Sequence, residues 1–208
     1  RSAAEAYLFG GEYHDGAATL ALDQLLRLDV AGRTWRRLRT PRAPPPRCAH
    51  SCVYHHQALY VFGGERGAAD ADGYHHYRDC WRFDLRTQVW EELKPGGSAG
   101  NAPSARSGHA AVVWKHFMVV FGGFFEAAKD LHPRWFNDVC VLNLQTRQWL
   151  PVPHSKLAQR PEPRSGCNVA LIGEDRLLVQ GGFSKLSRAS LKSPTASDEA
   201  VAASETRV

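Results

Sequence analysis

Residues 106–123 read R-S-G-H-A-A-V-V-W-K-H-F-M-V-V-F-G-G, and this stretch decides the fold. It holds two apolar runs, Ala110 to Trp114 and Phe117 to Phe121, separated by a short polar turn. Runs of this length that are rich in β-branched and aromatic residues and end at glycine are typical of β-strands. The stretch therefore predicts two antiparallel strands, which start after an arginine signature and end at a glycine pair.

The same pattern repeats along the chain. Glycine pairs stand at Gly10-Gly11, Gly63-Gly64, Gly122-Gly123 and Gly181-Gly182, with spacings of 53, 59 and 59 residues. The arginine signature stands at Arg47-Cys48-Ala49-His50, Arg106-Ser107-Gly108-His109 and Arg164-Ser165-Gly166-Cys167. A tryptophan that lies six residues after an Asp or Asn follows the first three pairs, at Trp35, Trp90 and Trp149. A period of this length indicates a repeat architecture, and each unit predicts four short strands in up-and-down order.

These motifs resemble those of kelch repeats. The stretches R-S-G-H-A-A-V-V-W-K, V-F-G-G-F, Y-R-D-C-W and W-F-N-D-V-C-V-L-N-L carry the resemblance, which covers roughly residues 6–184. It implies an all-β, kelch-type β-propeller with the galactose oxidase-like fold, in which each unit forms one blade.

The blades are unevenly complete. Two are full, Arg47–Leu93 and Arg106–Val152, and two partial blades flank them, the first without its inner strand and the fourth broken off after Gly182. We expect residues 1–184 to form this partial propeller and the Ser/Ala-rich residues 185–208 to form a disordered tail. Because so few blades cannot close a ring, we expect the chain to be a fragment or truncated form of a longer propeller.

The repeated glycines and tryptophans predict structural roles. A glycine pair at a strand end suits a backbone that takes a positive φ or passes close to a neighbouring blade. The tryptophans, Trp35, Trp90 and Trp149, are expected to pack between adjacent blades.

The arginine signatures and the loops after the glycine pairs share one end of the blades, since the second strand runs antiparallel to the first. In kelch proteins that act as substrate adaptors, arginine and serine at this position bind acidic peptides. The resemblance therefore implies partner-binding residues at Arg47, Arg106, Ser107, Arg164 and Ser165, because a guanidinium fork matches a carboxylate. The alternative is that each arginine pairs with a carboxylate or carbonyl of the next blade.

The loops at 65–78 and 124–137 are long, with 14 residues each. Aromatic residues beside arginines dominate protein–protein hot spots, so these loops are a candidate partner surface. The candidates are Tyr74, His76, Tyr77, Trp135 and Phe136. Alternatively, these side chains fold back onto the blade and anchor the loop.

Composition limits the other function classes. The net charge is +5, and seven arginines between residues 27 and 47 indicate either a solvated face or, less favoured, a nucleic-acid contact. Five cysteines without a C-x-x-C pair predict neither a zinc site nor a disulfide framework. Adjacent histidines on a strand point to opposite faces, so the His-His pairs predict no metal site. No apolar run is long enough to span a bilayer.

We therefore expect a noncatalytic interaction scaffold or adaptor that needs no cofactor. It would present a basic, aromatic-rich face to an acidic or extended segment of a partner protein, in the cytoplasm or the nucleus. Two alternatives stay open. One is a kelch-type enzyme, either a copper oxidase or a sugar-processing enzyme, and the other is a nucleic-acid-associated protein that uses residues 27–47.

Overall fold

A computed structural model of the protein describes residues 4–67, 74–96, 101–126, 133–152, 160–184 and 206–207. These residues form strands, turns and loops, and no helix occurs among them. The strands are β1 (Glu5–Phe9), β2 (Glu12–His14), β3 (Thr19–Ala21), β4 (Leu25–Asp29), β5 (Thr34–Leu38), β6 (Ser51–His55), β7 (Ala58–Phe62), β8 (Glu65–Gly67), β9 (Tyr74–His76), β10 (Cys80–Asp84), β11 (Val89–Leu93), β12 (Ala110–Trp114), β13 (Phe117–Phe121), β14 (Phe124–Phe125), β15 (Arg134–Trp135), β16 (Val139–Asn143), β17 (Gln148–Leu150), β18 (Ser165–Ile172), β19 (Arg176–Phe183) and β20 (Thr206–Arg207).

The strands form four blades, which we number in chain order. Blades 2 and 3 are four-stranded antiparallel sheets, β6-β7-β10-β11 and β12-β13-β16-β17. Blade 1 has three strands, β1-β4-β5, and blade 4 pairs β18 with β19, to which the short β20 adds. The prediction of an all-β propeller arc with two full and two partial blades is confirmed.

The long loops contain hairpins that the sequence analysis did not predict. After each of the first three glycine pairs the chain forms a short antiparallel ribbon, β2-β3, β8-β9 or β14-β15. The tips of the second and third ribbons, residues 68–73 and 127–132, lie outside the described residues. The ribbons lie at the same end of the blades as the arginine signatures. Together they form one face of the protein, which we call the ribbon face.

The core lies between the blades. All five residues of β7 are buried, and alternate side chains face opposite neighbours. Leu59 and Val61 join a cluster with blade 1, whereas Ala58, Tyr60 and Phe62 join a cluster with blade 3. A strand that is covered on both faces carries apolar residues at consecutive positions. This burial explains why β7 is apolar throughout.

The tryptophan of each outer strand packs on the preceding blade where the structure describes one. Trp90 lies 5.0 Å from Phe9 between ring centroids, and Trp149 lies 5.3 Å from Phe62. Trp35 is 51% exposed. The described residues contain no blade on that side of blade 1, so the packing of Trp35 between blades stays a prediction.

The first three glycine pairs join neighbouring blades. All eight glycines have positive φ angles, between 63° and 100°. The N–H of Gly123 donates to the carbonyl oxygen of Arg164 in the next blade at 2.8 Å. A Cβ at Gly122 would lie 2.6 Å from that same oxygen, closer than a carbon atom can approach. The Gly122-Gly123 pair therefore adopts the positive φ angles that the strand end requires and allows the next blade to approach closely.

Gly122 and Gly181 separate these two effects. Their φ angles are 68° and 70°, but a Cβ at Gly181 would have no heavy atom within 4 Å. We expect Gly181→Ala to lower the free energy of unfolding by about 1 kcal/mol through backbone strain alone. Gly122→Ala should cost at least about 1 kcal/mol more, because the Arg164 carbonyl must move. Urea denaturation of both variants measures the difference, and equal losses would contradict the blade contact.

Candidate functional site

The signature arginines of blades 2 and 3 are buried in matching surroundings. Arg47 donates through Nη1 and Nη2 to Asp79 Oδ1 and Oδ2 at 2.7 and 2.8 Å. Its Nη1 also donates to the carbonyl of Gly63 at 3.0 Å, and its Nε to that of Pro45 at 3.0 Å. The guanidinium carbon lies 4.0 Å from the centroid of Tyr77. We call this arrangement an arginine site.

Blade 3 repeats the arginine site. Arg106 donates to both oxygens of Asp138 at 2.7 and 2.9 Å and to the carbonyl of Gly122 at 3.0 Å. Its guanidinium lies 4.3 Å from the centroid of Phe136. Burial by itself would raise the pKa of Asp138, but the hydrogen bonds and charge of Arg106 outweigh it and hold that pKa below its usual value. Asp138 is therefore held as a carboxylate at neutral pH, the form that accepts both bonds from Arg106.

These positions correct two of the predicted binding residues. Arg47 and Arg106 are 0% and 1% exposed, so neither presents its guanidinium to a partner. Each arginine pairs with a carboxylate of its own blade. The alternative prediction places the partner of each arginine in the next blade. Arg164 differs, because it is only half-buried and bonds to the carbonyls of Glu162 and Gly181, both at 3.0 Å.

The residue after each signature arginine connects neighbouring blades. Ser107 is buried and donates its hydroxyl to Glu65 Oε2 of blade 2 at 2.7 Å, so it too is unavailable to a partner. Cys48 repeats the contact, with its thiol 3.4 Å from Glu12 of blade 1. Ser165 is half-buried at the same position of blade 4. The two carboxylates, Glu65 and Glu12, were not predicted as partners, although each stands directly after a glycine pair.

An aromatic patch crosses the ribbon face from blade 2 to blade 4. It consists of His76, Phe124, Phe125, Trp135 and Phe183. The His76 ring lies 5.2 Å from both Phe124 and Phe125, Phe124 stacks on Trp135 at 6.1 Å, and Trp135 meets Phe183 at 6.2 Å. Phe183 is 64% exposed. Phe183 was not among the residues predicted to bind a partner.

Some of the predicted loop aromatics are available to a partner, and others anchor the loop. Tyr74 is exposed and Trp135 is half-buried, so both can meet a partner. His76 and Tyr77 are buried, and Tyr77 and the half-buried Phe136 stack on the arginines. For Tyr77 and Phe136 the alternative of anchoring the loop is the correct one.

The positive charge of the ribbon face comes from other arginines. Arg66, Arg78 and Arg134 are exposed on or beside the ribbons. Glu65 lies on the same strand as Arg66; burial raises the pKa of its carboxyl group, which accepts the Ser107 hydrogen bond. The face is therefore mixed in charge.

Burial shifts the pKa values of two groups on this face, Cys48 and His76, in the direction that favours their neutral forms. Burial, followed by the charge of Glu12, raises the pKa of the Cys48 thiol to about 12. Burial, followed by the charge of His75, lowers the pKa of His76 to about 4. Its Nε2 accepts the N–H of Glu126 at 3.1 Å, so this ring holds the ribbon of blade 3.

Metal-ligand clusters and membrane-spanning helices are both absent from the described residues. Within these ranges, no group of three or more His, Cys, Asp or Glu side chains is placed to hold a metal ion. The part of the chain that the structure describes contains no helix able to cross a bilayer.

The arginine-rich segment 27–47 runs from β4 and β5 of blade 1 to Arg47, which is buried in blade 2. Its exposed members are Arg33, Arg36, Arg37, Arg39 and Arg42. Arg42 is 3.3 Å from Glu92 of blade 2, and Arg37 is 3.9 Å from Asp23. Part of the positive charge is thus balanced within the protein.

Comparisons with known proteins find relatives that share these repeats. Residues 2–193 match the KLHDC2/KLHL20/DRC7 Kelch-repeats domain. Acyl-CoA-binding domain-containing proteins 5 and 4 of Arabidopsis thaliana are 32% and 33% identical over 85% of this chain. Kelch domain-containing protein 10 of Homo sapiens is 33% identical over 71% of it. The chain spans 24% of the length of the first two and 33% of the third.

Proposed function

Because this chain belongs to the kelch-repeat family, we propose that it is a noncatalytic adaptor that binds an extended segment of a partner protein across the aromatic patch. Kelch-repeat domains generally bind protein partners. The observation that carries the proposal is the continuity of the patch across blades 2, 3 and 4, with Phe183 exposed at its end.

The chemistry of the patch suits a protein segment. Aromatic rings that are held by stacking lose little conformational freedom when a partner covers them. Trp135 and Phe183 supply apolar area, and Arg66 and Arg134 lie exposed on the ribbons beside it. Tryptophan and arginine are enriched among the residues that dominate binding energy at interfaces. An acidic segment fits this rim better than a basic one.

The variant Phe183→Ser tests the patch. We expect it to reduce recovery of bound proteins at least about tenfold, because it removes an exposed aromatic side chain of the type that anchors interfaces. The measurement is affinity capture from cell lysate with the intact chain, quantified by mass spectrometry. Tyr54→Ser is the matched control, since Tyr54 is exposed at the opposite end of blade 2. Equal recovery with both variants would count against the proposal.

The two alternatives have their own tests. A copper or sugar-processing enzyme would bind a redox-active metal or turn over a sugar, which metal analysis and activity assays detect. A nucleic-acid-associated protein that uses segment 27–47 would bind DNA or RNA with an affinity that falls steeply as salt increases.

A further inference from the structure

Blade 3 contains a cavity beside a position where blade 2 carries a buried tryptophan. In blade 2, Trp81 pairs with Val61 on β7, and in blade 3, Cys140 pairs with Val120 on β13. Both valines stand two residues before a glycine pair, so Cys140 is the counterpart of Trp81. The described residues leave a cavity of about 260 Å³ that Cys140 lines. We propose that this cavity binds a planar aromatic ring with an N–H donor, of the kind that indole provides.

The contacts of Trp81 show how blade 2 holds such a ring. Its Nε1 donates to Asp79 Oδ2 at 2.7 Å. The guanidinium carbon of Arg42 lies 5.4 Å from the centroid of the ring, and Glu92 pairs with Trp81 on β11. Trp81 is buried in the cluster between blades 1 and 2. The indole is therefore held by one hydrogen bond to a carboxylate and by close packing.

The counterparts of these neighbours border the cavity in blade 3. Each counterpart stands at the same distance from the arginine signature or the outer-strand tryptophan of its blade. They are Asp138 for Asp79, Asn101 for Arg42 and Pro151 for Glu92. Leu150 and Val152 add apolar side chains to the wall. An apolar cavity of about 150 Å³ accommodates benzene, so the volume beside Cys140 is sufficient for a single bicyclic ring.

The carboxylate that lines the cavity can accept a stronger bond than the one it receives there. Asp138 Oδ2 accepts Arg106 Nη2 at 2.9 Å and the Cys140 thiol at 3.4 Å. A thiol is a weak donor, whereas the equivalent oxygen in blade 2 accepts an indole N–H. The side chain of Asp138 is 32% exposed, against 21% for that of Asp79, so it is the more open of the two. An N–H donor in the cavity would give blade 3 the bond that blade 2 makes internally.

Two ring compounds test the donor without any change to the protein. Indole and benzofuran have the same shape, but benzofuran carries an oxygen atom in place of the N–H group. We expect the full chain to bind indole at least about tenfold more tightly, because benzofuran would leave the Asp138 carboxylate facing an oxygen atom. Ligand-observed NMR titrations measure both affinities. Equal affinity for the two compounds, or no binding of either, would overturn the proposal.

The ring can belong to a small compound or to a tryptophan side chain of a partner protein, since both present the same N–H group. N-acetyltryptophanamide carries peptide groups on both sides of that side chain, so it distinguishes the two sources. An affinity at least equal to that of indole supports a partner's tryptophan. Weaker binding than indole supports a free compound, because the walls of the cavity then exclude the backbone.

Variants of Cys140 locate the bound ring. Cys140→Trp supplies the side chain that blade 2 carries and should lower the affinity for indole at least about tenfold, because it fills the cavity. The control Cys140→Ala leaves the cavity open and should change the affinity less than about threefold, since the lost thiol is a weak donor. Unchanged binding by a folded Cys140→Trp protein would place the ring elsewhere and overturn the proposal. If the larger residue prevents folding, the comparison of indole with benzofuran still decides it. The cavity shares no residue with the aromatic patch, so the result for Phe183→Ser does not affect this test.

Discussion

Asp138→Ala is expected to lower the free energy of unfolding by about 3 kcal/mol, because it leaves the Arg106 guanidinium buried without a counter-charge. Arg106 is 1% exposed and cannot turn to solvent without opening the blade. We place the loss at the lower end of the range for broken buried pairs, since the Asp138 side chain is 32% exposed and water can partly replace it. Urea denaturation measures the loss.

Two comparisons make this first test specific. Glu91→Ala breaks the bidentate pair with Arg147, whose side chains are 45% and 47% exposed, and should cost less than about 1 kcal/mol. The double variant Arg106→Met, Asp138→Leu removes both charges together and should recover part of the loss. If Asp138→Ala costs no more than Glu91→Ala, the arginine site does not stabilise the blade.

Trp149→Ala is expected to lower the free energy of unfolding by about 3–5 kcal/mol, because it opens a cavity between blades 2 and 3. The Trp149 ring is buried and meets the Phe62 ring edge-on at 5.3 Å. It belongs to the cluster that includes Tyr60, Met118 and Leu142. The loss is read from denaturation curves of the full chain.

Trp35→Ala is the matched control for this variant, since it changes the same residue at the same repeat position. Trp35 is exposed on blade 1, so its removal should cost less than about 1 kcal/mol. A comparable loss in both variants would mean that Trp35 is covered in solution. That outcome would contradict the exposed outer face of blade 1.

The sequence was sufficient for the features that depend on short stretches of chain. The Gly122-Gly123 pair marks a strand end because its positive φ angles are a local requirement. Asp84 caps the turn before Trp90 through the N–H groups of Arg86 and Thr87, at 2.9 and 3.0 Å. Such contacts span two or three residues, so the repeat reveals them, and the blade order follows.

The interpretation of the arginines failed because their partners are distant in the chain. Arg106 meets Asp138, 32 residues later, and Gly122, 16 residues later. The motif alone is compatible with an arginine that lines a binding surface and with one that is locked inside a blade. Only the tertiary structure shows that the guanidinium already binds a carboxylate and is already covered by an aromatic ring.

The sequence by itself determined the all-β repeat, the strand order within each blade and the positions of the blade ends, since these follow from local periodicity and turn geometry. Only the tertiary structure decided which repeated residues are available. In the folded protein Arg47 and Arg106 are buried and Trp35 is exposed. His76, Trp135 and Phe183 belong to one patch. The physical reason is that availability depends on groups distant in the chain: an aspartate and an aromatic ring of the same blade for Arg47 and Arg106, and the neighbouring blade for the tryptophans.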